Sequence, residues 1–353
     1  MFEVWDERVD PFEEVERYLR DARFFARRDG SVADVFFAYR ISDRLRRLSL
    51  PAPPEPCPLP LAACRIRGDE TPTRGPGPYA VGEWRETWAA AEYAAAVAAV
   101  RAAIGRGDVY QVNLVQHLRA PFEGDPAGLA AALAPLAPLH PEPLLGETWA
   151  VVSASPELFL ARHGDRLVTM PIKGTRPAGA AADELAGSEK DAAEHVMIVD
   201  LERNDLSRVC LPGTVRWPEL MAERELAGVT HLVSTVEGRL RPSASFAEIM
   251  WATFPGGSIT GAPKIAAIDH IAALEPVGRG AAMGAIGRIH PSGDFELALT
   301  IRTFAVAGGE VHLWAGGGIV WDSGAAEEVE ESWVKARPLL ALAAAGSREA
   351  IRA

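Results

Sequence analysis

A chain of 353 residues, 48% hydrophobic and 24% charged, is long enough to bury a large core as one big domain or two medium ones. Its net charge of −12, with no run rich in lysine or arginine, argues against nucleic acid or an anionic membrane surface as the main partner. The same acidic surface repels an anionic small molecule, so a site for one has to carry its own cations or a metal.

The N-terminal MFEVWDERVD is acidic from its third residue and has no basic segment followed by an apolar one, so no signal peptide is expected. PFEEVERYLRDARFFARR has helical spacing, with Phe12, Val15, Tyr18 and Leu19 on one stripe. From Pro51 to Pro78 proline is dense enough to prevent a regular helix or central strand, which predicts a connector or extended surface segment. Thr87 to Gly105 is helical by propensity, and Gly105, Gly107 and Asp108 supply the stop. Glu92 and Arg101 interrupt its alanines short of the roughly 20 apolar residues a membrane span needs, so no transmembrane helix is expected. Cys57, Cys64 and Cys210 lack metal-ligand spacing and read as free thiols in a reducing cytoplasm.

Further along, YQVNLVQHLRA, WAVVSAS, LFLARHG and RLVTMPI read as strands bounded by turns. ELAGSEKDAAEHVMIVDLERNDL reads as a long helix. HLVSTVEGRL, GAIGRIH, FELALTIRTFAVAGG and EVHLWAGGGIV are again strand-like, with HPSGD as a hairpin turn. SGAAEEVEESWVKARPLLALAAA is helical, with an interruption or kink expected at Pro338. Strands joined by short turns between long helices indicate the α+β class with antiparallel sheets.

Three groups of residues carry candidate chemistry. Glu157 closes one strand signal and Lys173 follows another, so a carboxylate and an amine on neighbouring strands can face one cavity. Without water each moves toward its neutral form, giving a proton-donating acid and a nucleophilic amine; the alternative is a plain strand-end salt bridge. Asp191 and Glu194 share a helix face, as do Glu327, Glu328 and Glu331 with Lys335 beyond them. Carboxylates converging from two helices suit magnesium, a hard ion that keeps waters, although acidic helix faces are usually only solvated. FPGGSITGAPK and WAGGGIVWDSG offer backbone N–H groups as anion nests, with a helix start expected after Pro263, and Arg302 is a candidate clamp for a carboxylate. Tight turns and an internal salt bridge are the plainer readings of these glycines and of Arg302.

Taken together, YQVNL, SPELFL, PIKGTRP, SEKDAAEHVMIVDLERNDLSRVC, THLVSTVEG, FPGGSITGAPK, GAIGRI, LTIRTF and AGGGIV resemble, in order, the chorismate-binding enzyme family. That family includes the large subunits of anthranilate and aminodeoxychorismate synthases and the isochorismate and salicylate synthases. The resemblance implies an α/β sandwich like that of anthranilate synthase component I, two facing antiparallel sheets covered by helices, with the site in a cleft between layers. It implies Mg2+ held by Glu194 and Glu331, with Asp191 nearby, and gripping the ring carboxylate of chorismate. Arg302, Lys335 and the backbone of Gly316, Gly317 and Gly318 would hold the enolpyruvyl carboxylate, Gly174 and Thr175 would shape the ring pocket, and His231 would lie near the enolpyruvyl group. Glu157 would assist departure of the C4 hydroxyl.

Within the family, alanine at the position of Lys173 accompanies anthranilate synthesis, and lysine marks aminodeoxychorismate synthases. The expected reaction is therefore replacement of the C4 hydroxyl by ammonia from a glutamine amidotransferase partner. Anthranilate or isochorismate synthesis and a non-catalytic chorismate-binding role are the alternatives. The chain departs from the family at Ala282, where tyrosine is common, and in a short N-terminal region. The expected division is an N-terminal region with its connector over 1–86, a catalytic domain over 87–345 and a tail over 346–353.

Overall fold

A computed structural model describes residues 1–68, 75–177, 189–226 and 229–352; the side chains of 174–177, 189–191, 225–226, 229–231 and 348–352 lie outside that description. The first strands are β1 (Glu3–Trp5), β2 (Val32–Phe37), β3 (Ala62–Arg67), β4 (Tyr79–Val81), β5 (Arg85–Glu86) and β6 (Gln111–Gly124). They are followed by β7 (Leu144–Leu145), β8 (Trp149–Ser153), β9 (Leu158–His163), β10 (Arg166–Met170), β11 (Ile172–Pro177) and β12 (Arg216–Leu226). The last are β13 (Val229–Arg239), β14 (Gly261–Ala262), β15 (Ala285–Ile289), β16 (Phe295–Leu299), β17 (Thr303–Ala307) and β18 (Glu310–Ile319). The helices are α1 (Pro11–Asp21), α2 (Ala90–Arg106), α3 (Pro126–Leu133), α4 (Glu189–Ser207), α5 (Phe246–Thr253), α6 (Lys264–Leu274) and α7 (Ala325–Arg352).

Local chemistry explains the helix ends. The Asp10 carboxylate accepts from the N–H groups of Phe12 at 3.0 Å and Glu13 at 3.2 Å, satisfying donors that the first turn of α1 leaves open. Phe12, Val15 and Leu19 are buried, as the stripe predicts, and Tyr18 is half-buried. The helix α2 stops at Gly107, whose φ of 82° is a left-handed conformation that glycine adopts without steric cost.

Ten strands form one sheet in the order β1-β3-β2-β15-β16-β9-β10-β13-β11, with β12 also on β13. β10 and β11 lie end to end along one edge of β13, separated at Pro171, and β12 takes the other edge. Eight strands form the second sheet, β14-β6-β18-β17-β8-β7, with β4 and β5 also on β6. Every pairing is antiparallel, and the fold is α+β, as expected. One core cluster joins the sheets, taking in Leu160 and Leu297 of the first with Leu114, Val151 and Ala305 of the second. The period of two sorts the faces. Phe37 meets Phe12 of α1 and Phe246 of α5, whereas its neighbour Phe36 turns to Trp149 in the opposite sheet. On the other face of the second sheet, Val152, Phe304 and Leu313 pack with Leu129 of α3 and Leu339 of α7.

Two chain segments cross from sheet to sheet, and they lie side by side. β8 leads into β9 through 154–157, and β16 leads into β17 through 300–302. The Ala154 N–H donates to the Arg302 carbonyl at 3.0 Å and the Leu299 N–H to the Glu157 carbonyl at 3.0 Å, so the crossings brace one another. Arg302 turns the second crossing in a left-handed conformation, φ 48°, that is uncommon outside glycine.

Several expectations need correction. The segment from Pro51 to Pro78 contains β3, with Ala62, Ala63 and Cys64 fully buried between β1 and β2, because 61–67 is free of proline. FELALTIRTFAVAGG is two strands in different sheets rather than one. Helix α7 runs unbroken through Pro338, which sits on its exposed face, where the carbonyl deprived of its donor reaches water. RWPELMAEREL, which carries no clear alternation, is β12, paired to β13 across two register shifts. The N-terminal region contributes β1, β2 and β3 to the larger sheet, where β2 pairs with β15 from Phe37↔Ala285 to Ala33↔Ile289. Among the described residues no helix is long and apolar enough to cross a membrane.

Candidate functional site

The two crossings, the α4 face and the ends of β6, β11 and β18 converge. Lys173 lies on β11, opposite Leu232 of β13, and its side chain is 12% exposed. Its Nζ donates to Glu194 Oε1 of α4 at 2.7 Å and to the Ser258 carbonyl at 3.2 Å. Gln111 of β6 donates its Nε2 to the same Glu194 oxygen at 2.9 Å.

Glu157, 4% exposed, sits where β8 has crossed to β9. Its Oε1 accepts from the Ser258 hydroxyl at 2.7 Å and from the Ile172 N–H at 3.3 Å, so a proton on this carboxyl sits on Oε2. Burial pushes Glu157 above the usual carboxylate range; the Ser258 and Ile172 hydrogen bonds and the positive charges of Lys173 and Arg302 pull the other way. The reciprocal effect appears at Arg302, where burial lowers the guanidinium's pKa and Glu157 opposes the shift. Glu157 and Lys173 are thus brought together as the sequence predicts, through Ser258, which touches both. Among the described residues the lysine's carboxylate partner is Glu194.

On the far side of β18, Lys335 of α7 donates to the Gly316 carbonyl at 2.9 Å and to Glu331 Oε1 at 2.6 Å. Consecutive glycines connect the two acidic groups. A methyl group at Gly317 would lie 3.0 Å from Glu331 Oε1, and one at Gly318 would lie 2.9 Å from Glu194 Oε1 and 1.8 Å from Gln111 Nε2. Two oxygen donors beside side-chain-free backbone fit a hard ion such as magnesium, which takes one or two protein carboxylates and fills its octahedron with water or substrate oxygen. Among the described residues no group of three or more histidine, cysteine, aspartate or glutamate side chains is placed to hold a metal.

Gly174 and Thr175 lie in the backbone of β11, where its register against β13 shifts, and His231 in that of β13 opposite Arg224; their side chains, and that of Asp191 on α4, lie outside the described residues. Ala282 is 1% exposed and packed in the core.

Sequence reasoning missed Gln111, Ser258 and Glu202. The signal for Gln111 was a polar pair, Gln111 and Asn113, on one face at the start of β6. For Glu202 it was helical spacing, since Glu194, Ile198, Glu202 and Asp205 make one stripe along α4. The glycine-rich turn before α6 is indeed followed by a helix starting at Lys264, but its anion is internal: the Gly257 N–H donates to Glu202 Oε1 at 2.8 Å.

Comparison with known proteins agrees with this architecture. The chain is 39% identical over 284 residues to aminodeoxychorismate synthase component 1 of Salmonella typhimurium, covering 78% of this chain and 62% of that protein. It is 44% identical over 249 residues to anthranilate synthase component 1 of Thermus thermophilus, covering 67% of this chain and 53% of that protein. It therefore spans between about half and two thirds of the length of these relatives. The crystal structure of anthranilate synthase component I from Streptococcus pneumoniae superposes with a TM-score of 0.83 at 24% identity, covering 96% of this chain and 89% of that one. That likeness establishes the sandwich fold. Residues 49–341 match the chorismate binding enzyme family, and the chain belongs to it.

Proposed function

We propose that this chain is the aminating component of an aminodeoxychorismate synthase, replacing the C4 hydroxyl of chorismate with an amino group. The observation that carries the reading is the placement of Lys173 Nζ, 3.2 Å from the carbonyl of the same Ser258 whose hydroxyl holds Glu157 at 2.7 Å. An amine and a buried acid on one residue's two polar ends can act on two carbons of one ring.

In this reading Lys173 Nζ, having passed a proton to solvent, forms a bond to C2 while the ring double bonds shift and the C4–O bond breaks. Glu157 gives its Oε2 proton to the departing hydroxyl, which leaves as water. Ammonia then bonds to C4, the double bonds shift back and the C2–N bond to Lys173 breaks, returning the amine; the new C4 ammonium gives a proton back to the Glu157 carboxylate, leaving 4-amino-4-deoxychorismate. Glu194 and Glu331 would hold magnesium, which when bound would supply positive charge for the ring carboxylate. Arg302, Lys335 and the Gly316 to Gly318 backbone hold the enolpyruvyl carboxylate, Gly174 and Thr175 shape the ring pocket, and His231 lies beside the enolpyruvyl group. Ammonia comes from a glutamine amidotransferase subunit in the cytoplasm, in keeping with the component 1 names of the relatives. The product serves 4-aminobenzoate and folate synthesis.

The 44% identity to an anthranilate synthase component supports a second reading, amination at C2. Incubating the chain with chorismate, magnesium and ammonium chloride separates the two by mass spectrometry. Aminodeoxychorismate, converted to 4-aminobenzoate by an added lyase, is the expected product. Anthranilate would overturn the reading. Lys173→Ala is expected to lower aminodeoxychorismate formation by roughly a hundredfold or more with little change in chorismate binding; unchanged production would remove the lysine as nucleophile.

A further inference from the structure

Beyond Glu194, the same stripe of α4 carries Glu202 and Asp205, 3% exposed each, and both act on the 253–264 segment that holds Ser258. Lys264 ion-pairs with Asp205 and donates to the Thr253 carbonyl at 2.7 Å, tying the end of the segment to its beginning. Midway, Glu202 Oε1 accepts from the Gly257 N–H at 2.8 Å, and its buried Oε2 has no hydrogen-bond partner among the described residues. The next residue is Ser258, which touches Glu157 through its hydroxyl and Lys173 through its carbonyl.

We propose that Glu202 is a positioning residue for the reaction, holding the Gly257 amide so that Ser258 sets the Glu157 carboxyl and the Lys173 amine at a fixed separation. The inference rests on the roles given above to Glu157 and Lys173. A buried carboxyl is a costly group to keep in a packed interior unless something uses it. Packing alone would be served better by an apolar side chain, and helix propensity does not ask for it. One rigid helix then sets three groups along one face: Glu194 against Lys173, Glu202 against Gly257, Asp205 against Lys264. Burial, and after it the neighbouring Asp205 charge, push Glu202 up to about 7. The contact survives either protonation state, because a carboxyl oxygen accepts in both, and a glutamine amide oxygen offers the same acceptor.

The test compares Glu202→Met, which keeps the length and removes the acceptor, with Glu202→Gln, which keeps the acceptor and removes the charge. Steady-state kinetics with chorismate and ammonium are paired with amide hydrogen exchange at Gly257. Glu202→Met is expected to lower kcat roughly tenfold or more with KM for chorismate within about twofold, and to speed exchange at Gly257 selectively. Glu202→Gln is expected to restore both. Wild-type kcat in Glu202→Met overturns the inference, and so does a loss of activity accompanied by faster exchange along all of α4, which marks a purely structural role. Should Glu202→Met not fold, the wild-type protein decides: an unprotected Gly257 amide in the folded chain overturns the proposal. A product other than aminodeoxychorismate overturns the amination reading, whereas the exchange at Gly257 reads this contact whatever the product.

Discussion

At the scale of single residues, burial and not identity decides what each ionisable group does. Glu157 and Glu55 are both glutamates pushed above the usual range by burial, yet only Glu157 lies beside an amine. Glu55 accepts from the Gly280 N–H at 3.0 Å and is raised to about 7. An acid whose pKa rises on folding favours the folded state while it is protonated. Its contribution is full below the ordinary value of 4.5 and is lost as pH climbs through about 7. Glu55→Gln is therefore expected to lose stability relative to wild type at pH 5 and to recover that difference at pH 8. Urea unfolding at the two pH values measures this, and a difference independent of pH would mean that the group titrates normally. The sequence already indicated that Glu157 and Lys173 sit at neighbouring strand ends. It did not indicate that Ser258, more than 80 residues from Lys173 in the chain, would sit between them, because no local pattern records which loop returns to the site.

At the scale of elements, the glycines of β18 show how a strand makes room. A methyl group at Gly316 would stand 1.8 Å from the Leu114 carbonyl across the ladder, whereas at Gly318 the obstruction is the Gln111 amide, also at 1.8 Å. Backbone cannot yield cheaply and a side chain can. Gly316→Ala is expected to destabilise the sheet by several kcal/mol, on the order of the larger single-site losses, and to reduce soluble yield. Gly318→Ala is expected to fold, displace Gln111 from Glu194 and lower turnover roughly tenfold or more. Thermal unfolding and kinetics on the two variants check the contrast; equal stability would refute it. Most of the strands around the site were legible from periodicity, among them β6, β9, β10 and β18, and α2 was legible from helix propensity. β12 was not, because Pro218 and two register shifts erase its alternation. β3 was hidden behind the prolines that precede it.

Across the whole molecule, one core cluster runs from Phe12 and Phe37 near the N-terminus to Trp314 and Ile319 of β18. Deleting residues 1–48 removes β1, β2 and α1, strips β15 of a pairing partner and exposes the face that Phe37 covers. The shortened chain is expected to lose cooperative unfolding and to aggregate, as read by near-ultraviolet circular dichroism and a denaturant titration. A cooperative transition in the remainder would show that the N-terminal strands are dispensable.

Periodicity and turn chemistry are local, and from them the α+β class and most elements follow; the ordered motifs carry the family in the same way, since they are written in neighbouring residues. Whether FELALTIRTFAVAGG is one strand or two depends on a left-handed turn at Arg302 that only the two-sheet packing stabilises. That Glu157 is buried, that Gly257 meets Glu202, and that Glu331 lies beside Gly317 and Glu194 beside Gly318 depend on chain returns of tens to hundreds of residues. Burial and distance are properties of the packed fold, and it is they that turn a row of ordinary glutamates and a lysine into a site.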